Sequence, residues 1–196
     1  MSVWTLNMIE FKISGELLRE GEILPFDKPY DWTSFSLVNK VRYHLCRQTG
    51  IKKLKVGHAG TLDPLATGLL ILCTGKATKS IDKIQEMPKE YITEITLGAT
   101  TPSFDLETGI DKTYDIGHIS YDLIQKKIQL FSGKIEQVPP MFSAKYVNGV
   151  RAYELARAGV IKELKPSRVE IYKIEVLNYT APVLKLKILC SKGTYI

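Results

Sequence analysis

The stretch 57-GHAGTLDPLATGLLILC-73 constrains the fold more than any other. Its second half, 68-GLLILC-73, is an unbroken apolar run, the pattern of a central strand covered on both sides. Its first half cannot continue a helix, because Pro64 disfavours the α conformation at Asp63. Asp63 therefore sits extended or in a turn. Gly57 and Gly60 allow close backbone approach or positive φ. The result is one carboxylate on a stiff bend just ahead of a buried strand. Such a bend is either a surface loop feeding that strand or a mount for a reactive acid.

The remainder of the composition narrows the class. A chain of 196 residues with 44% hydrophobic content is long enough for one domain with a real core and a small extension at residues 1–22. No apolar run is long enough to cross a membrane. The start, MSVWTLNMIEFKISGELL, lacks the basic flank and clean apolar centre of a secretory signal. A formal charge of +6 is compatible with a polyanionic partner and does not prove one. Cys46, Cys73 and Cys190 are far apart, form no C-x-x-C pair and have no histidine at metal-ligand spacing. Cys73 and Cys190 lie in apolar runs and read as small core residues. A reducing, cytoplasmic setting without a bound metal is expected.

Along the chain, Ile23 to Asp27 reads as a short strand ending at Lys28-Pro29. Residues 33–48 read as a helix with Ser34 as N-cap and Phe35, Val38, Val41 and Leu45 as the apolar stripe. Lys40, Arg42, His44 and Arg47 fall on its other faces. Residues 76–87 read as a helix ended by Pro88. In 90-EYITEITLGATT-101, Tyr91, Thr93, Ile95 and Leu97 share one face of a strand. Residues 102–119 are loop-rich, and Ser120 caps a helix over 121–131. A short strand around Ile135, a turn at Asn148-Gly149, a short helix stopped by Gly159 and two alternating strands, 168–179 and 183–190, complete the chain. Hairpin-like pairs among scattered helices predict an α+β fold with a central mixed, largely antiparallel sheet flanked by helices.

Most catalytic signatures are absent. Gly75-Lys76 fails as a phosphate loop, since the glycine spacing is wrong and Ala77 stands where a hydroxyl is needed. No Gly-rich dinucleotide fingerprint, Ser-His-Asp or Cys-His arrangement stands out. Carboxylate chemistry remains. An aspartate of ordinary pKa, about 3.9, is ionised at neutral pH and acts as nucleophile or charge stabiliser without activation. Asp63 is the best-placed acid; Asp27, Asp31, Asp105 and Asp111 sit beside turn formers and have that simpler role open to them. Tyr91 is either strand packing or a stacking surface for an exposed base. Lys52, Lys53 and Lys55 before the Asp63 bend, with Lys76 and Lys79 after it, surround it with positive charge.

Taken together these residues resemble the TruB family of tRNA pseudouridine-55 synthases. The resemblance runs from about Ile23 to Ile196 and is densest in 56-VGHAGTLDPLATGLLILCTGKATK-79. Weaker blocks follow in the same order: 27-DKPYDWTSFSLVNKVR-42, 89-KEYITEITLGATTPSFDLETG-109, 138-VPPMFSAKYVNGVRAYELARAG-159 and 190-CSKGTYI-196. It implies the pseudouridine synthase fold and an isomerase of tRNA. The uridine at position 55 of the T-loop is cut from its ribose, turned and rejoined through carbon 5, without cofactor or metal. Asp63 is then the catalytic aspartate, and Tyr91 stacks on the flipped base and is the candidate for removing the carbon-5 proton. His58 matches the histidine near the opened RNA loop and Lys89 a basic residue beside the tyrosine. Lys28, Gly60, Thr61 and Tyr195 belong to the matching motifs and complete the expected RNA-contacting set. The T-arm of tRNA is the expected partner, and a monomer the expected state.

Three departures from the family pattern stand out. Asp31 or its neighbour Tyr30 occupies the place of a usual glycine, which an aspartate in a left-handed turn would tolerate. Lys145 comes one place early in the Ser-Ala-x-Lys motif, with Tyr146 in the lysine position. The family pattern also runs on from G-T-Y-I to an arginine that pairs with the catalytic aspartate. That carries the expectation that the gene product continues past Ile196, and that residues 1–196 alone have little or no activity. No RNA-binding module of the PUA type is recognisable. The competing classes are a non-catalytic RNA-binding or RNA-folding protein on this scaffold and a synthase acting on another RNA. Neither folding nor binding RNA requires a carboxylate aimed at a sugar.

Overall fold

A computed structural model describes residues 13–143, 145–160 and 164–196. Residues 1–12 of the expected extension, and Ala144 of the Ser-Ala-x-Lys stretch, lie outside the described residues. The chain divides into two compact units, residues 1–86 and 87–196.

In the first unit, helix α1 (Gly15–Glu20) is capped by Ser14, whose side chain accepts from the Leu17 N–H. It carries Leu18 into the core, although the sequence reading assigned this stretch no element. Strand β1 (Ile23–Lys28), helix α2 (Ser34–Thr49), β2 (Val56–His58) and β3 (Gly68–Thr74) follow. A 3₁₀-helix (Gly75–Ser80) leads into α3 (Ile81–Gln85), so the helix expected over 76–87 is built in two pieces. Gly75, at the start of the first piece, has φ +47°, and a Cβ there would lie 2.1 Å from the Arg19 carbonyl oxygen. The strands form one antiparallel sheet in the order β1-β3-β2, with Leu24 opposite Leu72 and Phe26 opposite Leu70.

One face of that sheet and one stripe of α2 make the core, where Leu24, Phe26, Leu70 and Leu72 pack with Leu37, Val38, Val41 and Leu45. Each such side chain contributes about 1.5–3 kcal/mol on burial. Two expectations for α2 are corrected. Phe35 is 62% exposed, and Leu37 takes its place in the stripe, because Leu37, Val38, Val41 and Leu45 stand at i, i+1, i+4 and i+8 on one narrow arc of the helix and Phe35 lies beyond its edge. The cap is Thr33, whose hydroxyl accepts from the Ser36 N–H at 3.0 Å, and not Ser34, which is buried. β3 is the central strand, as expected, yet Leu69 is 57% exposed, so its first turn of pleat is not covered on both sides.

The second unit is built on long strands. β4 (Lys89–Thr96) leads to β5 (Ala99–Thr100), which pairs with β6 (Lys112–Thr113). Helix α4 (Tyr121–Ile128) starts at Ser120, whose hydroxyl accepts from the Leu123 N–H as expected of a cap. β7 (Gly133–Gln137) follows, then a hairpin of β8 (Tyr146–Val147) and β9 (Val150–Arg151). Its turn residues Asn148 and Gly149 both have positive φ, +52° and +84°, the geometry that makes Asn-Gly a hairpin signal. Helix α5 (Ala152–Arg157), β10 (Ser167–Thr180) and β11 (Val183–Cys190) complete the unit. Four strands pair in the order β4-β11-β10-β7, and every pairing among the described residues is antiparallel. Alternation along β11 buries Leu184, Leu186, Ile188 and Cys190 against Ile124 and Ile128 of α4. The class is α+β, as expected; among the described residues the antiparallel strands form a three-stranded sheet, a four-stranded sheet and two two-stranded pairs, in place of one central mixed sheet.

Candidate active site

The segment between β2 and β3 carries Asp63, and its sequence dictates its shape. β2 hydrogen-bonds to β3 through His58 opposite Leu72, and the Ala59 N–H extends the ladder to the Ile71 carbonyl at 2.8 Å. Gly57 packs so closely that a Cβ would lie 2.8 Å from Ile81 Cδ1, and Gly60 turns the chain at φ +127°. The His58 ring nitrogen Nδ1 is hydrogen-bonded to the Gly60 carbonyl across that turn. The Ala66 N–H then bonds back to the Asp63 carbonyl at 3.1 Å, closing a turn with Pro64 in its second place. Proline is preorganised for that place and aspartate is favoured in the first. Asp63 thus opens a tight turn, and its side chain is exposed.

The peptides on either side of Asp63 are held by buried groups. The Ser34 hydroxyl donates to the Leu62 carbonyl at 3.1 Å and accepts from the Leu62 N–H at 3.0 Å. The Pro64 carbonyl receives the Asp31 N–H at 2.9 Å and the Lys28 ammonium at 3.2 Å. Lys28 is fully enclosed and donates also to the carbonyls of Trp32 at 2.6 Å and Pro29 at 3.0 Å. Asp31 adopts φ +64°, the left-handed turn that an aspartate in the usual glycine place was expected to tolerate. Together these contacts tie the β1–α2 connection to the Asp63 turn. Burial pushes the Lys28 ammonium below its usual range, and the negative charges of Asp63, first, and Asp31 oppose that shift.

Ser34 is the residue that sequence reasoning missed in this role. The adjacent hydroxyls Thr33 and Ser34 offered two caps for a helix that needs one, and the surplus hydroxyl was the available signal. Ser34→Ala leaves the Leu62 N–H and C=O without this partner. Urea denaturation should show a loss of about 1–3 kcal/mol, and a stability equal to wild type would remove Ser34 from the bracing of the turn.

The structure places the other expected residues as follows. Thr61 is exposed on the Asp63 loop, with His58 and Gly60 half-buried before it. Lys28, expected among the RNA-contacting residues, has its ammonium inside the first unit, on three carbonyls. In the second unit Lys89 opens β4 opposite Cys190, and Tyr91 stands two residues on, opposite Ile188 and half-buried against the core. Lys89 donates to the Met87 carbonyl at 2.7 Å, and burial, then the like charge of Lys192, lowers its ammonium pKa. Past Cys190 the chain stays beside β10, since the Ser191 N–H bonds the Glu170 carbonyl at 2.8 Å. Gln137 then grips the main chain of Tyr195 with its amide, donating to the carbonyl at 2.8 Å and accepting from the N–H at 2.9 Å. Asp105 and Asp111, rivals of Asp63, have structural duties: Asp105 accepts from the Glu107 N–H and Asp111 from the Thr100 hydroxyl. Cys73 and Cys190 are buried with their thiol pKa values raised by burial, as small core residues are. Among the described residues no group of His, Cys, Asp and Glu is arranged to hold a metal, and no helix is long and apolar enough to cross a membrane.

An α+β scaffold that displays one carboxylate on a loop braced from beneath defines a class of enzyme core, and comparison with known proteins says which. Residues 47–196 match the family described as TruB family pseudouridylate synthase (N terminal domain). A protein named tRNA pseudouridine synthase B from Phocaeicola vulgatus is 59% identical over 178 residues, covering 91% of this chain and 76% of that protein. Its namesake from Bacteroides fragilis is 57% identical with the same coverage. The chain belongs to the TruB family of pseudouridylate synthases. Its fold recurs in the crystal structure of a Cbf5-Nop10-Gar1 complex, with TM-score 0.64 and 24% identity over 91% of this chain. The chain spans 42% of the length of that matched chain.

Proposed function

We propose that this protein isomerises uridine to pseudouridine in tRNA, at position 55 of the T-loop, with Asp63 as the catalytic group. The observation that carries the reading is the bracing of Asp63. An exposed carboxylate has its flanking peptides held by Ser34 and Lys28, so the acid is presented at a set position. The family membership and the name of the relatives at 57–59% identity supply the reaction and the RNA class.

The chemistry fits one carboxylate. The N1–C1′ bond breaks, the uracil turns, and a C5–C1′ bond forms while C5 gives up its proton and N1 gains one. The substrate supplies both leaving group and nucleophile, so no redox partner is needed. Asp63 either adds to C1′ or assists departure of the base with glycal formation. The target base must first leave its stack, at a cost of a few kcal/mol. Tyr91 offers an aromatic face to receive it, and its hydroxyl serves the late C5 proton transfer. His58 at the end of β2, with Gly60 and Thr61 on the Asp63 loop, meets the opened RNA, with Lys89 and Tyr195 as further contacts. Lys28 acts in this reading by holding the loop. The +6 charge attracts the phosphates of a folded RNA recognised largely by shape.

The direct test uses the full-length gene product and a tRNA transcript tritiated at C5 of uridine. Tritium release with pseudouridine mapped to position 55 is expected. Product at another position reassigns the target, and binding without release leaves an RNA-binding protein. In the same assay, Tyr91→Phe should keep RNA affinity within about twofold, because stacking survives, and slow single-turnover product formation. A wild-type rate would exclude the hydroxyl from proton removal.

A further inference from the structure

The outward face of α2 carries a second feature that the Asp63 loop does not use. Asn39, Arg42, Tyr43 and Cys46 recur at helical spacing and form one wall of a shallow groove of about 340 Å³. Lys52, Lys53 and Leu54, on the segment leading into β2, form the other. No acidic residue lines it. The Arg42 guanidinium is oriented by a 2.6 Å hydrogen bond from Nη2 to the Asn39 side-chain oxygen. Tyr43 is 58% exposed and stands edge-on to the His44 ring.

The charge pattern is what singles this groove out. Some lysines elsewhere in the protein pair with carboxylates, as in Lys76–Glu20, Lys185–Glu94 and Lys187–Glu90. Among the described residues Arg42, Lys52 and Lys53 form no ion pair, so three cations line one concavity without neutralisation. Such a cluster repels itself in the free protein, a cost that an arriving anion removes. An oriented guanidinium forks onto phosphate oxygens, the two ammonium groups serve as point charges, and the exposed Tyr43 ring of the same groove suits a sugar or base.

We infer that this groove binds the phosphodiester backbone of the RNA substrate, as a docking surface separate from the Asp63 loop. The inference rests on the proposed RNA substrate and adds a second point of hold on it. Two variants of the full-length protein test it. One combines Arg42→Gln, Lys52→Gln and Lys53→Gln; the other removes the same charge elsewhere, through Lys112→Gln, Lys126→Gln and Lys127→Gln. Binding of unmodified tRNA transcript is measured across a series of KCl concentrations, with Tm as the check on folding.

Three lost phosphate contacts should make the slope of log affinity against log salt shallower by about 2–3. The groove variant should show that change with a wild-type Tm, while the control keeps the wild-type slope. A groove variant with wild-type affinity and slope overturns the inference, and so does a control that loses as much. Tritium release separates this result from the functional reading. RNA turned over without groove dependence sinks only the groove, whereas groove-dependent binding without turnover sinks only the catalytic assignment.

Discussion

Asp63→Asn is expected to remove pseudouridine formation, with turnover falling by about 10⁴-fold or more, while the protein stays folded and keeps its hold on RNA. The expectation follows from the local structure. Asn is as well suited as Asp to the first place of the Asp63–Ala66 turn, and the backbone bonds of Leu62, Asp63 and Pro64 do not involve the carboxylate. The side chain is exposed, so the loss of charge should cost less than about 1 kcal/mol in stability. Removing a negative charge should leave RNA affinity unchanged or slightly improved. Single-turnover tritium release and equilibrium RNA binding give the two readings. Turnover within tenfold of wild type would move the chemistry to another group and leave the braced loop without its proposed purpose.

Lys28→Met is expected to have the largest effect on stability. Methionine fills much of the same volume but leaves the carbonyls of Pro29, Trp32 and Pro64 without the ammonium that now serves all three. Deleting a buried charge also relieves its desolvation, which opposes the loss. The Pro64 carbonyl keeps the Asp31 N–H, and two orphaned acceptors, on Pro29 and Trp32, at about 1–3 kcal/mol each outweigh that relief, for a net loss of about 1–4 kcal/mol. Because Pro64 follows Asp63, the slack should also reach the reaction, and a displacement near 1 Å costs about 10²-fold in rate.

The pH dependence has a definite sign. The Lys28 pKa in the folded protein is below its usual 10.5, so near that pH the unfolded chain holds more protons than the folded one. Lys28's contribution to stability therefore rises as pH climbs through the window up to 10.5, and falls away again as pH drops through the lowered value. The stability gap between wild type and Lys28→Met, followed by urea denaturation, should widen over that window. A gap that stays constant would show that burial does not lower the Lys28 pKa, and a variant as stable as wild type at neutral pH would show that the ammonium does not hold the loop.

Much of the fold was legible because its signals are local. Alternation over 183–190 announced the buried face of β11, Ser120 announced the start of α4, and Asn148-Gly149 announced its hairpin turn. The misreadings also have local causes. Thr33 and Ser34 compete for one cap, and Phe35 and Leu37 flank the same apolar stripe, of which the packed sheet covers only the arc that holds Leu37. The helix over 76–87 has an acceptable helical composition throughout. Yet Gly75–Ser80 is 3₁₀ and only Ile81–Gln85 is α, a choice of hydrogen-bond pattern that composition does not encode; the approach of the α1 carbonyls of Leu18 and Arg19 to Gly75 is equally invisible in any window around residue 75.

The candidate site divides along the same line. Gly57, Gly60, Asp63 and Pro64 are written next to one another, so their turn chemistry could be read directly, and the family motif is dense there. The roles of Lys28 and Ser34 could not, because their partners lie 36 and 28 residues away. A lysine beside a proline in a strand-ending motif reads as a surface cation available to RNA; only the packed unit shows it enclosed with three carbonyls to satisfy. By itself the sequence determined which carboxylate is the candidate acid, which conformation its turn must take and which family the chain joins, because these depend on neighbours along the backbone and on residue identity. Tertiary structure alone decided what holds that acid in place. Buried hydrogen bonds are assigned by which distant groups share an interior and lose water together, and one-dimensional spacing does not encode that.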